Sequence, residues 1–297
     1  MAQPTPQTIW TVGSLLQWTT DFFARKDIDA PRLSAELLLS HALSCDRMRL
    51  YTQFEKVPTE PQIAAFRALV KSRGEGVPVQ YLIGKASFYG LDFIVNPAVL
   101  IPRPDTETLV EQIITKVRGT PGYESPLILD LCTGSGAIAV TLAKNLPAAK
   151  IYATDLSPAA LAVAQENAEK NKVADRMEFL EGDLWAAAEK MQPLAQFHVI
   201  ASNPPYISTT EVEKLQREVK EHEPRMALEG GLDGLDFLRQ IVAGAPSWLV
   251  AGGTLAVEHG FDQSKEVVEL FATSGFGEIR PVRDAGQNWR CVVGVKR

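Results

Sequence analysis

Residues 127–140 read LILDLCTGSGAIAV, and no other segment limits the possible folds so strongly. Apolar residues packed around one acid, without helical spacing, make a buried strand. A loop of small residues follows and runs directly into an apolar helix. A buried strand that turns through glycines into a helix is the opening of a βαβ unit. The alternation continues, with strands at 150–154, 177–181, 197–202 and 254–258 and helices at 138–145, 158–171 and 262–274. Residues 278–295 read as two closing strands around a turn at 284–287. The expected fold is α/β: a doubly wound, mostly parallel sheet of seven strands occupying residues 105–297.

The N-terminal third follows another period. Ile9, Val12, Leu15, Leu16, Phe22 and Phe23 recur at helical spacing; Leu33, Leu37, Leu38, Ala42 and Leu43 form a stripe after Pro31; Ile63, Phe66, Leu69 and Val70 form a third, ending at Gly74 or Gly76. Residues 1–85 therefore predict a small all-α domain. Between the two regions, aromatic and β-branched residues around Gly90, Asn96 and Pro97 predict a β-hairpin connector over 86–104.

The balance of 36 acidic to 30 basic residues, a net charge of −6, argues against a sequence-independent nucleic-acid binder. Cys45, Cys132 and Cys291 are odd in number and contain no CxxC pair, which points to a reducing compartment. The start, MAQPTPQTIW, has no basic stretch followed by an apolar run, and no apolar stretch is long enough to span a bilayer. A cytoplasmic protein is expected.

The glycine-rich loop by itself fits several nucleotide-binding folds, an NAD-binding Rossmann domain among them. Two acids narrow it. Asp155 ends the next strand, where a carboxylate can accept hydrogen bonds from two ribose hydroxyls. Asp183, in Gly182-Asp183-Leu184, ends the third, where it can meet the exocyclic amine of an adenine while Leu184 packs on the ring. With Asp130 they place acids at three successive strand ends, along one crevice. Each acid could instead open a turn or cap the following helix. The deciding motif closes the strand FHVIAS: Asn203-Pro204-Pro205-Tyr206. Two prolines make it rigid. The Asn203 side-chain oxygen and the Pro204 carbonyl can each accept one hydrogen of a flat –NH2 group, and Tyr206 offers that group a face. An isolated Asn-Pro-Pro is usually a surface turn; at the end of this strand it reads as a clamp on an amine or amide.

These residues resemble the amino methyltransferases that act on adenine N6 or on protein glutamine. Gly76-Val-Pro-Val-Gln-Tyr81, Gly84-Lys-Ala-Ser-Phe-Tyr-Gly90, Val99-Leu-Ile-Pro-Arg-Pro-Asp-Thr-Glu107, the stretch from Glu223-Pro-Arg225 to Gly234, and Val257-Glu-His-Gly260 are similar to the bacterial release-factor glutamine methyltransferases. The similarity runs over nearly the whole chain. It implies a class I methyltransferase sheet and the cofactor S-adenosyl-L-methionine, leaving as S-adenosyl-L-homocysteine, with no metal. Cys132, Thr133, Gly134, Ser135, Gly136, Asp155, Asp183, Leu184 and Asn203 would bind the cofactor. Asn203, Pro204 and Tyr206 would carry the transfer, and Pro205, Arg103 and Glu223 would join them against substrate. Cys132 stands where many related enzymes carry glycine. The resemblance further implies the glutamine of a Gly-Gly-Gln motif in class 1 peptide chain release factors as substrate, and docking of that factor by the helical domain. It implies a monomer with no stable hold on nucleic acid and no membrane association. An adenine-N6 methyltransferase of DNA or RNA, using the same clamp on a flipped base, and a non-catalytic module retaining the cofactor fold are the rival readings.

The remaining polar residues read more simply. Arg103 either contacts the loop or substrate or pairs with Asp105 or Glu107. Glu223-Pro-Arg225 would wall the substrate channel. His41 and Cys45 share a helix face without further ligands, His198 is packed in its strand, and Glu258 and His259 end a strand beside the site and support it.

Overall fold

A computed structural model describes residues 9–191 and 196–297; most of the N-terminal stretch read above for a leader lies outside them. The chain divides into two compact units, one of residues 1–84 with 217–222, the other of 85–216 with 223–297.

The first unit is helical. It comprises α1 (Val12–Ala24), α2 (Pro31–Ala42), α3 (Arg47–Thr52), α4 (Glu60–Gly74) and α5 (Val79–Ile83). Thr11 caps α1 through a reciprocal pair of bonds with Ser14, and Thr59 does the same for α4 with Gln62. The core stripe of α2 differs from the expected one. Ala35, Leu38 and Leu39 are buried while Leu33 is 41% exposed, because the face that packs also carries Glu36. That carboxylate is buried and receives Arg32, Arg47 and the Tyr51 hydroxyl. The short α3 and α5 were too brief to show a period. Residues 217–222 belong to this unit, where Glu218 pairs with the buried Arg73 of α4.

The second unit opens with the hairpin, β1 (Lys85–Phe88) and β2 (Leu91–Ile94), antiparallel, its turn made by Tyr89 and Gly90 in left-handed conformations. Then follow α6 (Glu107–Gly119), β3 (Leu127–Leu131), α7 (Ala137–Asn145), β4 (Lys150–Asp155), α8 (Pro158–Lys170), β5 (Met177–Glu181), α9 (Trp185–Ala188), β6 (Phe197–Ser202), α10 (Thr209–Val212), α12 (Asp236–Trp248), β7 (Leu249–Glu258), α13 (Ser264–Thr273), β8 (Phe276–Arg283) and β9 (Trp289–Lys296); residues 217–222 of the helical unit are α11. The sheet order is β5-β4-β3-β6-β7-β9-β8. β3 to β7 are parallel, and β9 enters antiparallel between β7 and β8. This is the doubly wound, mostly parallel seven-stranded sheet that the alternation predicts. The helices α6 and α12 were missed; both are amphipathic and flank segments dominated by glycine and proline.

Strand pleating distributes the core. Ile128, Ile151, Val199 and Ala256 point to the face covered by α6, α7 and α8; Leu129, Leu131, Ile200 and Val257 point to the face covered by α12 and α13. The hairpin aromatics Phe88 and Phe93, ring centroids 6.0 Å apart, pack into the first face.

One side chain ties hairpin, helix and glycine loop together. Asn167 of α8 is fully buried. Its Oδ1 accepts from the Ile94 amide at 2.6 Å, and its Nδ2 donates to the carbonyls of Ile94 and Ser135, both at 2.9 Å. An amide is the only side chain that offers donor and acceptor in this fork. Asn167→Ala leaves one backbone donor and two acceptors without partners, a cost of about 2–4 kcal/mol. The melting temperature should fall by roughly 5–10 °C in a circular dichroism melt; a fall of under one degree would mean water replaces all three bonds.

Candidate active site

The carboxyl ends of β3, β4, β5 and β6 open on a cavity of about 580 Å³, the size range of cofactor sites. Cys132, Thr133, Gly134, Ser135, Asp155, Asp183, Leu184, Asn203, Pro205 and Arg103 line it; Gly136, Pro204, Tyr206 and Glu223 do not.

The loop after β3 is shaped by three left-handed residues, Cys132 (φ 59°), Gly134 (φ 53°) and Gly136 (φ 79°). The two glycines have different reasons. A Cβ on Gly134 would meet nothing within 4 Å, so a ligand can approach the backbone there. A Cβ on Gly136 would lie 3.1 Å from that of Ala164, so this glycine serves the packing of α7 on α8. Cys132 adopts the glycine-like conformation at a cost of roughly 1 kcal/mol. Burial, with Asp155, Asp130 and Asp183 around it, pushes its thiol pKa up and keeps it neutral.

Of the three acids, two reach the cavity. Asp130 does not: it is fully buried, and its Oδ2 accepts from Thr133 Oγ1 at 2.7 Å and from the Ala139 amide at 3.2 Å. It braces the loop from beneath. Asp155 both braces and faces the cavity. Oδ2 accepts from the Gly134 amide and Oδ1 from the Ser157 amide, each at 2.9 Å, leaving a further lone pair on each oxygen. Ser157, not Asp155, caps α8. The Asp183 side chain caps nothing among the described residues and stands exposed at the rim, beside the buried Leu184.

Arg103 takes neither expected partner. Its Nη2 lies 2.6 Å from Glu223 Oε1, while Glu223 Oε2 accepts from the Ile101 amide at 3.1 Å. Glu223 is thus a buried anchor for the strap over 101–103, and Pro224, Arg225 and Met226 form the wall in its place. Asp105 pairs with Arg290, and Glu107 accepts from the Tyr89 amide.

Asn203 sits at the end of β6, half-buried. Its Nδ2 donates to Thr106 Oγ1 at 3.1 Å, and among the described residues the carboxamide oxygen has no hydrogen-bond partner. The Tyr206 hydroxyl donates to Glu258 Oε1 at 3.1 Å; burial and the adjacent Glu258 push the phenol pKa up. Thr106 was overlooked in the sequence, although it lies inside Pro104-Asp-Thr-Glu107: a threonine beginning a helix looks like a cap. Asn167 was overlooked because it stands among polar residues of a helix. His198 accepts from the Leu127 amide and meets the Tyr123 ring edge-on. His259 is fully buried against the Gly260 carbonyl, and burial lowers its pKa.

The residues present fit S-adenosylmethionine. The backbone is open at Gly134, two carboxylates face the cavity with lone pairs to spare, and Leu184 offers an apolar surface. Family models match at residues 14–84 (PrmC N-terminal domain) and 104–232 (methyltransferase small domain). The chain is 44% identical over 96% of its length to the release factor glutamine methyltransferase of Rhodopirellula baltica, covering 96% of that protein. It is 45% identical over 93% to that of Geobacter sulfurreducens, covering 93%. The chain belongs to the release factor glutamine methyltransferase family. It is a methyltransferase. The hMettl16 catalytic domain in complex with MAT2A 3′UTR hairpin 6 shares the fold, with a TM-score of 0.54 at 16% identity, covering 77% of this chain and 81% of that one.

Two carboxyls in this methyltransferase are held close to neutrality by burial. Asp130 is pushed up to about 7, against the hydrogen bonds of Thr133 and Ala139; Glu258 is also pushed up to about 7. A folded-state pKa above the unfolded value means that the folded protein holds the proton more tightly. The resulting stability is complete below about pH 4 and is lost as the pH rises through about 7. Asp130→Asn keeps an acceptor for Thr133 and Ala139 and removes the titration. Its melting temperature should decline less than the wild type's between pH 5 and pH 7.5 in calorimetric scans; parallel declines would mean that Asp130 is already ionised at pH 5.

Proposed function

We propose that this chain transfers the methyl group of S-adenosyl-L-methionine to the side-chain amide nitrogen (N5) of the glutamine in the Gly-Gly-Gln motif of class 1 peptide chain release factors. The free carboxamide oxygen of Asn203, presented on the same cavity as Asp155 and Asp183, carries the reading, and the names of relatives above 40% identity along nearly the full chain support its substrate.

The bound cofactor supplies an electrophilic methyl on a sulfonium sulfur. Everything else falls to the protein. Asp155 would accept from the ribose hydroxyls, Asp183 from the adenine amine, and Leu184 would pack on the base, while the backbone from Cys132 to Gly136 would let the ligand lie close. An amide nitrogen is a poor nucleophile because its lone pair is delocalised, so orientation and exclusion of water supply most of the catalysis. Asn203 Oδ1 accepts one hydrogen of the glutamine –NH2 at the cavity wall, and the Pro204 carbonyl, set back from that wall, accepts the other; together they fix its plane and stabilise the positive charge that develops on nitrogen, which gives up one proton once the methyl has moved. Pro205 keeps that strand end rigid. Tyr206, fastened to Glu258, steadies the turn from behind, and Arg103 lies where it can meet the substrate backbone. No metal enters this scheme.

Residues 1–85 would recognise the folded factor, with 105–297 performing the transfer and 86–104 joining them. No described helix is long and apolar enough to cross a membrane, and Cys45, Cys132 and Cys291 are free, which supports a cytoplasmic setting. The same reading makes the chain a monomer acting on a protein, without a stable hold on nucleic acid.

Asn203→Ala should reduce transfer at least hundredfold and leave cofactor affinity within about threefold, whereas Asp155→Ala should weaken cofactor binding about ten- to hundredfold. Radiolabelled methyl transfer offered release factor, DNA and RNA side by side, with calorimetric cofactor titration, checks both. Incorporation into nucleic acid alone would overturn the substrate, and wild-type turnover by Asn203→Ala would overturn the clamp. A short peptide containing Gly-Gly-Gln lacks remote contacts and must order itself on binding. Its kcat/KM should fall at least hundredfold below that of the intact factor, and equality would remove any docking role from the helical domain.

A further inference from the structure

A carboxamide has two ends of almost the same shape, so packing cannot choose which of them faces a ligand; hydrogen bonds must. For Asn203 the choice is consequential. With Oδ1 outward it accepts from an –NH2 group. Turned over, it presents its own –NH2, a donor facing donors.

One contact in the structure makes that choice. Asn203 Nδ2 donates to Thr106 Oγ1 at 3.1 Å. Thr106 begins α6, is 4% exposed and borders the cavity. Its hydroxyl could in principle donate to Asn203 instead, which would favour the reversed orientation. What stands behind it decides. Glu258, 1% exposed at the end of β7, receives the Tyr206 hydroxyl on Oε1 and has no hydrogen-bond partner of good geometry on Oε2. Burial pushes the pKa of this carboxyl up to about 7, and the neighbouring Thr106 hydroxyl, Arg290 and Tyr206 each pull it back toward the charged form. Beside an ionised Glu258 the hydroxyl gains by directing its hydrogen to the carboxylate, and its lone pairs then face Asn203.

We propose that Thr106 is a positioning residue that fixes the polarity of Asn203, with Glu258 orienting the Thr106 hydroxyl, so that the row Glu258, Thr106, Asn203 ends in an outward-facing acceptor. The role differs from capping or packing: it needs an oxygen that accepts from one neighbour and donates to another. Arg290, held by Asp284 at 3.1 Å and Asp105 at 3.2 Å, offsets part of the burial that pushes Glu258 toward its neutral form. The inference rests on the reading of Asn203 as the acceptor for a substrate –NH2.

Thr106→Val keeps the shape and removes the oxygen; Thr106→Ser keeps the oxygen. Thr106→Val should lower kcat on intact release factor about ten- to hundredfold, with KM and cofactor Kd within about threefold of wild type. Thr106→Ser should stay within about threefold in all three. A wild-type kcat in Thr106→Val, or an equal loss in Thr106→Ser, would overturn the proposal. If Thr106→Val does not fold, the smaller Thr106→Ala reads the same step. A second measurement is independent of substrate. The side-chain amide signal of Asn203 in 15N-asparagine-labelled full-length protein, assigned by its loss in Asn203→Asp, should shift in Thr106→Val and hold its place in Thr106→Ser. An unmoved signal in Thr106→Val overturns the proposal whatever the substrate is. A wild-type enzyme that leaves release factor unmethylated overturns the functional reading instead, and the amide signal still decides the role of Thr106.

Discussion

The left-handed loop between β3 and α7 is the constraint on which the catalytic unit depends. Three alternate residues, Cys132, Gly134 and Gly136, have positive φ, a conformation the glycines adopt freely and Cys132 only under strain. Support comes from four directions. Asp130 holds Thr133 and the first turn of α7; the Thr154 carbonyl holds the Thr133 amide at 2.9 Å; Asp155 holds the Gly134 amide; Asn167 holds the Ser135 carbonyl. The loop is therefore braced by β3, β4 and α8 together. Its backbone is open toward the cavity because its bonds point the other way.

This arrangement explains why acids of the same type behave differently. Asp130 and Asp155 end neighbouring strands, and each accepts two hydrogen bonds. Asp130 is sealed beneath the loop, where burial favours the neutral form and one oxygen is left without a partner. Asp155 stands at the edge, so its remaining lone pairs are available to a ligand. A difference of one strand in position separates a brace sealed beneath the loop from a carboxylate open to the cavity. Cys132, among three carboxylates, is a neutral spacer rather than a nucleophile.

On the far side of the cavity a second set of polar residues gathers around the end of β6. Asn203 comes from the β6 turn, Thr106 from the start of α6, Glu258 from the end of β7 and Arg290 from β9. Groups so far apart in the chain meet because β7 lies next to β6 and β9 next to β7. Inserting the antiparallel β9 into the sheet is what brings a cation behind Glu258. A buried carboxylate and an arginine would each be costly alone; together with Tyr206 and Thr106 they form a polar backing behind the Asn203 carboxamide.

What the sequence determined by itself is whatever local pattern can encode. The 14 residues from Leu127 to Val140 dictate strand, turn and helix; Asn203-Pro204-Pro205-Tyr206 dictates a rigid strand end; the period of 3.6 against the alternation of strand and helix separates a helical region from an α/β one. Each rests on spacing along the chain. Tertiary structure alone decided the partners. Arg103 passes over nearby Asp105 and Glu107 to pair with Glu223, 120 residues away, because the strap over 101–103 runs beside that segment. Asn167 reads as a polar residue of an exposed helix until the hairpin and the glycine loop arrive on either side of it. Thr106 reads as a cap until β6 and β7 place Asn203 before it and Glu258 behind. A hydrogen bond's donor and acceptor carry no signature of their separation in sequence, so the direction in which Asn203 points is a property of the fold.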